Sequence, residues 1–282
     1  MLITLTTDFG TADGYVAAMK GSILSVAPDV RLIDVTHEVP PQDVMAAAFT
    51  LRSAATTFPD GTVHLVVVDP GVGTDRAAVA ARFTLEGRSH LFVGPDNGLL
   101  PLLLDGLDLP APHVVRLDRP DWWRLPTPSA TFHGRDIFGP VAAHLAQGVA
   151  LDRVGSAMEA LHSLHWPLPR TDAEGIDGMV LAVDHYGNCV TNISRSAYEA
   201  HVDARKAKCY IGSTILTGVA QTYSGAAIGE PVALFGSSDL LEIAVAGGHA
   251  ADLLSISRGD SVNLVFEAAP RVSPPHAHAQ PA

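Results

Sequence analysis

The sequence predicts an α/β protein in two parts: a layered N-terminal α/β domain over residues 1–162 and a smaller C-terminal antiparallel β-barrel or sandwich over residues 177–267. Three observations carry this expectation. Apolar strand patterns alternate with amphipathic helix patterns through the first part of the chain. The run His165-Trp166-Pro167-Leu168-Pro169-Arg170-Thr171-Asp172 then interrupts any helix, within a segment, 163–176, that reads as a linker. Beyond it come short β-branched segments separated by glycine.

Residues 2–6 form the first apolar strand pattern, and 14–26 an amphipathic helix with Ala18, Ile23 and Val26 at core-facing spacings. A strand over 30–34 follows. Pro40-Pro41 is expected to open the next helix, with Asp43 near its positive end and Val44, Ala47, Ala48 and Leu51 on its buried face. The unbroken apolar run 63–68 is that of a strand covered on both sides. Residues 77–84 and 89–93 suggest a hairpin around Gly87-Arg88, 98–104 a short helix, and 137–147 a longer helix ended by Gly148. In the second part, 179–183, 189–193, 208–211, 231–235, 241–245 and 261–266 read as strands. The Pro-, Ala- and His-rich stretch 268–282 reads as a disordered tail.

Hydrophobic residues make up 47% of the chain and charged ones 17%, enough apolar material for a large core. No run reaches the length of a spanning helix, and no leader pattern precedes the first strand, so a soluble cytoplasmic protein is expected. A net charge of −12 without a Lys/Arg cluster argues against nucleic-acid binding. Cys189 and Cys209 lack metal-type spacing and read as free thiols. His162 and His165 read as a coincidence of spacing within the linker rather than a metal site, and the tail residues His276 and His278 as solvent-exposed.

Active sites of α/β sheets gather at the carboxyl ends of strands. That rule points to Asp8-Phe9-Gly10 and to Asp69-Pro70-Gly71-Val72-Gly73, which is neither a dinucleotide fingerprint nor a Walker loop. Asp69 reads either as a turn cap or as a carboxylate paired with Arg76 and meant to orient a water. Asp8 is either an Asx-turn residue or a partner for a ribose diol. His133 lies in a loop before a helix, with Asp136 as the expected cap. Residues 184–192 read as a hairpin with Gly187-Asn188 in its turn. Pro95-Asp96-Asn97-Gly98-Leu99 reads as a turn into a helix.

Taken together, Thr6-Thr7-Asp8-Phe9-Gly10, Asp69-Pro70-Gly71-Val72-Gly73 with Arg76, Pro95-Asp96-Asn97-Gly98-Leu99, Thr131-Phe132-His133-Gly134-Arg135-Asp136 and Asp184-His185-Tyr186-Gly187-Asn188 closely resemble the S-adenosylmethionine hydroxide adenosyltransferases, relatives of the fluorinases and chlorinases. The resemblance implies a homotrimer whose substrate binds between the N-terminal domain of one subunit and the C-terminal domain of the next. It also implies attack of water on ribose C5′ to give adenosine and L-methionine, with no metal or cofactor. Asp69, Arg76 and His133 would activate the water, with either Asp69 or His133 taking its proton and Arg76 lowering the pKa of Asp69. Asp8 would hold the ribose hydroxyls, Asp184 the methionine ammonium, and Asn188 with backbone around Val245 to Gly247 the adenine edge. Tyr223 would stack on the adenine face, Ser237 and Ser238 would lie at the amino-acid end, and Tyr15 would line the same region. A halogenase of the same family and a non-catalytic adenosine or S-adenosylmethionine binder are the rival readings. Halogenases have a serine and an aromatic residue where this chain has Gly134 and Asp69.

Overall fold

The computed structural model describes residues 1–202 and 207–266, and the tail expected from residue 268 lies outside them. The chain divides into two compact units between Trp166 and Pro167.

In the first unit β1 (Leu2–Thr7) pairs in parallel with β2 (Arg31–Thr36) on one side and β3 (Val63–Val67) on the other. The helix between β1 and β2, α1 (Tyr15–Val26), packs on one face of the sheet, and α2 (Val44–Ala55), between β2 and β3, packs on the other. The strand order therefore reverses at β1, and the carboxyl ends of β1 and β3 lie side by side, Thr7 opposite Val67. β3 is buried at every residue, as its apolar run requires. Beyond β3 the sheet continues through β5, β4, β6 and β7 (β4 Ala78–Leu85, β5 Arg88–Pro95, β6 His113–Arg116, β7 Ser156–Ala157), with β5 parallel to β3 and the rest antiparallel. Helix α3 (Leu99–Leu104) covers the α2 face, and α4 (Gly139–Ala146) the α1 face.

Several sequence expectations are corrected. Along α1 the buried positions are Met19, Ser22 and Ile23, while Ala18 points to solvent, one step out of that register. Helix α2 does not open at Pro40-Pro41. It begins at Val44, because the Asp43 side chain accepts from the Ala46 N–H at 2.9 Å and caps it there. The turn of the β4–β5 hairpin is Glu86-Gly87, both at positive φ (49° and 76°), which leaves Arg88 in the strand. The longer helix begins as a wide π-type turn over Gly134–Phe138, in which the Gly139 N–H reaches back to the Gly134 carbonyl, and α4 follows.

The second unit is an antiparallel sheet. Its strands are β8 (Arg170–Thr171), β9 (Gly175–Val183), β10 (Cys189–Ser194), β11 (Ala207–Ile211), β12 (Thr214–Thr217), β13 (Pro231–Phe235), β14 (Leu240–Val245) and β15 (Ser261–Phe266). The path runs β12-β11-β15-β9-β10-β14-β13, and its two end strands approach each other, so the sheet curls nearly closed around one apolar core. Two short helices, α5 (Arg195–Val202) and α6 (Ala250–Leu254), were not anticipated. Cys189 and Cys209 are buried free thiols, and burial pushes them up to about 11 and about 12. No helix among the described residues is long and apolar enough to cross a membrane.

One buried polar group makes the fold sensitive to acid. His64 of β3 is inaccessible, bonded to Thr4 (2.8 Å) and to His90 (3.1 Å), and burial beside His90 lowers it to about 3. The unfolded chain takes up a proton near the ordinary histidine value and the folded chain does not, so stability present above that value is lost as pH falls. Between about pH 7 and pH 5 His64 alone should remove about 2 kcal/mol. Urea denaturation across that range should show the loss, and His64→Gln should flatten it. An equal slope in the variant would place the titrating group elsewhere.

Candidate active site

Asp69 follows β3 directly, and the next seven residues bring Arg76 back onto it. Thr74 closes the loop by bonding, through both its N–H and its hydroxyl, to the Gly71 carbonyl (3.2 and 2.7 Å). Gly73 sits at φ 79°, where a side chain would also run into the Ala130 carbonyl at 2.6 Å. The pair that results is buried, with side chains 6% and 8% exposed for Asp69 and Arg76. Arg76 grips the carboxylate in a fork, Nε to Oδ1 at 3.0 Å and a short second bond to Oδ2. Its other donors reach the Ala77 carbonyl (3.0 Å) and His133 Nδ1 (3.1 Å), and its plane lies 5.4 Å from the Phe138 ring centroid.

The geometry assigns the imidazole proton. A guanidinium only donates, so His133 Nδ1 must accept, and the neutral ring carries its hydrogen on Nε2. Burial, and then the nearby Arg76, lower the His133 pKa and favour that neutral form. Asp69 differs from the sequence expectation. Arg76 does pull its pKa down, but burial outweighs it and leaves the carboxyl above the usual aspartate value. Asp69 is therefore a stronger base than a solvated carboxylate.

Asp8 emerges beside this cluster from the end of β1, and its Oδ2 accepts the Gln42 N–H at 2.8 Å. Gln42 holds a left-handed φ of 64° to make that bond. Tyr15, half exposed, meets the Phe132 ring at 5.3 Å and the Phe9 ring at 6.1 Å, and Phe9 meets Phe132 at 5.7 Å. Phe9 and Phe132 stand inside the motifs but were assigned no role from sequence. Gly134 is fully enclosed, and a Cβ there would lie 3.2 Å from Phe9 Cζ. Asp136 is no helix cap. It is buried and paired with Arg135 (2.7 Å) and Arg124 (3.5 Å), and it also accepts the Ser129 N–H (2.9 Å). The Arg135 bond holds its pKa below the ordinary value.

In the second unit Asp184 organises its own loop. Oδ1 accepts from the Tyr186 and Asn188 N–H groups (2.9 and 2.8 Å), and Oδ2 from the Asn188 side-chain amide (2.9 Å). The strand ladder stops at Val183 and Cys189, so Gly187 and Asn188 lie in the five-residue turn of an antiparallel hairpin, as the sequence predicts. Val245 is buried, Gly247 exposed at φ 70°, and Ser237 and Ser238 exposed. The Tyr223 hydroxyl donates to Glu242 Oε2 at 2.8 Å. Sequence reasoning passed over Glu242, although a single charge within the apolar strand β14 was the signal. Among the described residues no group of three or more His, Cys, Asp or Glu is placed to hold a metal ion, and His165 turns instead to Asp105 and Ser163.

The SAM hydroxide adenosyltransferase N-terminal domain matches residues 3–155, and the C-terminal domain of the same family matches residues 178–263. The chain belongs to this family. Among its relatives, a protein named (R)-S-adenosyl-L-methionine hydrolase from Salinispora arenicola is 42% identical, covering 93% of this chain and 97% of its own. A fluorinase from an Actinoplanes species is more distant, 30% identical and covering 70% and 73%. The crystal structure of a conserved protein from Thermotoga maritima superposes with a TM-score of 0.84 at 35% identity, covering 94% of this chain and all of the other.

Replacing Arg76 by glutamine should raise the pH at which His133 titrates, since a cation 3.1 Å from Nδ1 is removed. Histidine ring NMR across a pH series reads this directly, with circular dichroism confirming the fold. A His133 midpoint that stays put would show that Arg76 does not govern the imidazole.

Proposed function

We propose that the protein hydrolyses S-adenosyl-L-methionine to adenosine and L-methionine, with Asp69 activating the water. The observation that carries this reading is the buried Asp69–Arg76–His133 cluster at the switch point of the sheet, in a chain of this family. The sulfonium is already a good leaving group, so no metal or cofactor is needed. The remaining barrier lies in positioning and polarising water. Arg76 fixes the plane of the carboxylate, and burial raises its basicity. His133, with hydrogen on Nε2, donates and leaves Asp69 as the proton acceptor. As the C5′–O bond forms, the C5′–S pair returns to sulfur and gives the neutral thioether of methionine, while one water proton passes to Asp69.

The other roles follow the family pattern. Asp8 takes the ribose hydroxyls, Tyr15 lines the same region, and Asp184 takes the ammonium. Asn188 and the backbone from Val245 to Gly247 read the adenine edge, Tyr223 stacks on its face, and Ser237 and Ser238 face the amino-acid end. The same relationship supports a cytoplasmic homotrimer in which the two sets of residues come from neighbouring subunits. A halide nucleophile is disfavoured twice. The Asp69 carboxylate repels it, by an energy on the order of several kcal/mol in a site of low dielectric constant. Gly134 also lacks the hydroxyl that the serine of the halogenases supplies at this position.

Incubation with S-adenosylmethionine followed by chromatography tests the reading. Adenosine and methionine should appear, and no 5′-halo-adenosine in chloride or fluoride. Unchanged substrate would leave a binding protein. In Asp69→Asn the amide cannot accept the proton, and kcat should fall by about 10²-fold or more. Turnover equal to the native rate would remove Asp69 from the mechanism.

A further inference from the structure

Residues alternate along β14: Leu241, Ile243 and Val245 face the core of the unit, and Glu242 and Ala244 face the other way. That second face is covered. Val232, Leu234 and Ala244 are buried there against Ala220 and Ala226, and the Ala220 N–H is bonded to the Ala233 carbonyl at 2.8 Å. Glu242 is only 7% exposed, with its carboxylate packed so tightly on the Gly236 backbone that a side chain at 236 would strike it. No cationic side chain among the described residues pairs with it. Its partner is the Tyr223 hydroxyl.

A buried carboxylate without a cation is a costly group to keep for packing alone. What it does achieve is directional. Tyr223 stays 45% exposed while its hydroxyl is tied down, so the far end of an accessible ring is held in one place. Burial, with the hydrogen bond to Glu242, pushes the phenol up to about 12, so Tyr223 remains a donor at physiological pH. An anchored, exposed ring is a stacking platform for a flat heterocycle.

We propose that Glu242 is a positioning residue for substrate: it clamps the Tyr223 hydroxyl and so holds the exposed ring at the place where the adenine stacks. This rests on the S-adenosylmethionine reading above. Glu242 touches no reacting atom, so its effect belongs to binding.

The test compares native protein, Tyr223→Phe, Glu242→Ala, Glu242→Gln and the double variant that combines Tyr223→Phe with Glu242→Ala. KM and kcat for S-adenosylmethionine are measured, together with adenosine affinity by calorimetry and melting temperature. Tyr223→Phe and Glu242→Ala should each raise KM and the adenosine Kd about tenfold, the worth of one charge-assisted hydrogen bond, with kcat falling less than KM rises. Combining the two should add little, because both remove the same bond. Glu242→Gln keeps an acceptor oxygen and should recover most of the affinity. Losses that multiply in the double variant would overturn the proposal. So would Glu242→Ala binding adenosine like the native protein, or lowering only the melting temperature. Tyr223→Phe leaves Glu242 in place and reads the same bond if Glu242→Ala folds poorly. Native protein that neither cleaves S-adenosylmethionine nor binds adenosine would overturn the hydrolase reading and this proposal with it. Native activity with unaffected variants would overturn this proposal alone.

Discussion

The buried pairing of Asp69 with Arg76 is the constraint around which the first unit is arranged. Two charges removed from water each cost on the order of several kcal/mol, and their attraction offsets this only when the geometry is good and the remaining donors are used. Here four of the five N–H donors are used, two on Asp69, one on Ala77 and one on His133, with the Phe138 ring beside the guanidinium. Each of these demands something of the backbone. The loop must return on itself within seven residues, which only glycine permits at position 73, and the chain after Thr131 must deliver His133 and Phe138 to the same cation.

That delivery explains the wide turn at Gly134–Phe138. A π-type turn rotates the residues after it relative to a regular helix, so His133 on one side of it and Phe138 at its end both reach Arg76. Gly134 lies between them against Phe9, Val67 and Met19, where a Cβ would press on the tip of the Phe9 ring at 3.2 Å. Asp136, itself buried and paired with the more exposed Arg135 and Arg124, pins the same turn from behind. The turn, the loop and the ends of β1 and β3 thus form one mechanically coupled site. The imidazole tautomer is a consequence of this coupling, because Arg76 leaves His133 no choice of acceptor atom.

The second unit prepares its groups by a different means. Asp184 and Asn188 are satisfied by each other, and Tyr223 by Glu242, so the polar side chains are held in place by short local bonds on a curled sheet. Preorganisation of this sort lowers the entropy lost when a ligand is bound.

The sequence by itself determined the layer pattern and most strands, since β3 and β13 are apolar runs too short for helices and bounded by glycine or proline turns. It also brought Asp69, Arg76 and His133 to notice, because chemically distinctive residues in glycine-rich loops stand out in one dimension. Boundaries set by side-chain capping were less legible. Asp43 and not Pro41 starts α2, because that choice depends on which N–H a carboxylate finds in space. Tertiary structure alone decided the strength of Asp69 as a base. Arg76 is visible in the sequence and argues for a lowered pKa, but burial is a property of the packed fold, and here it outweighs the neighbouring charge. Glu242 was hidden for the same reason. Whether one charge in an apolar strand meets water or a tyrosine hydroxyl is settled only when the chain between β12 and β13 folds over it.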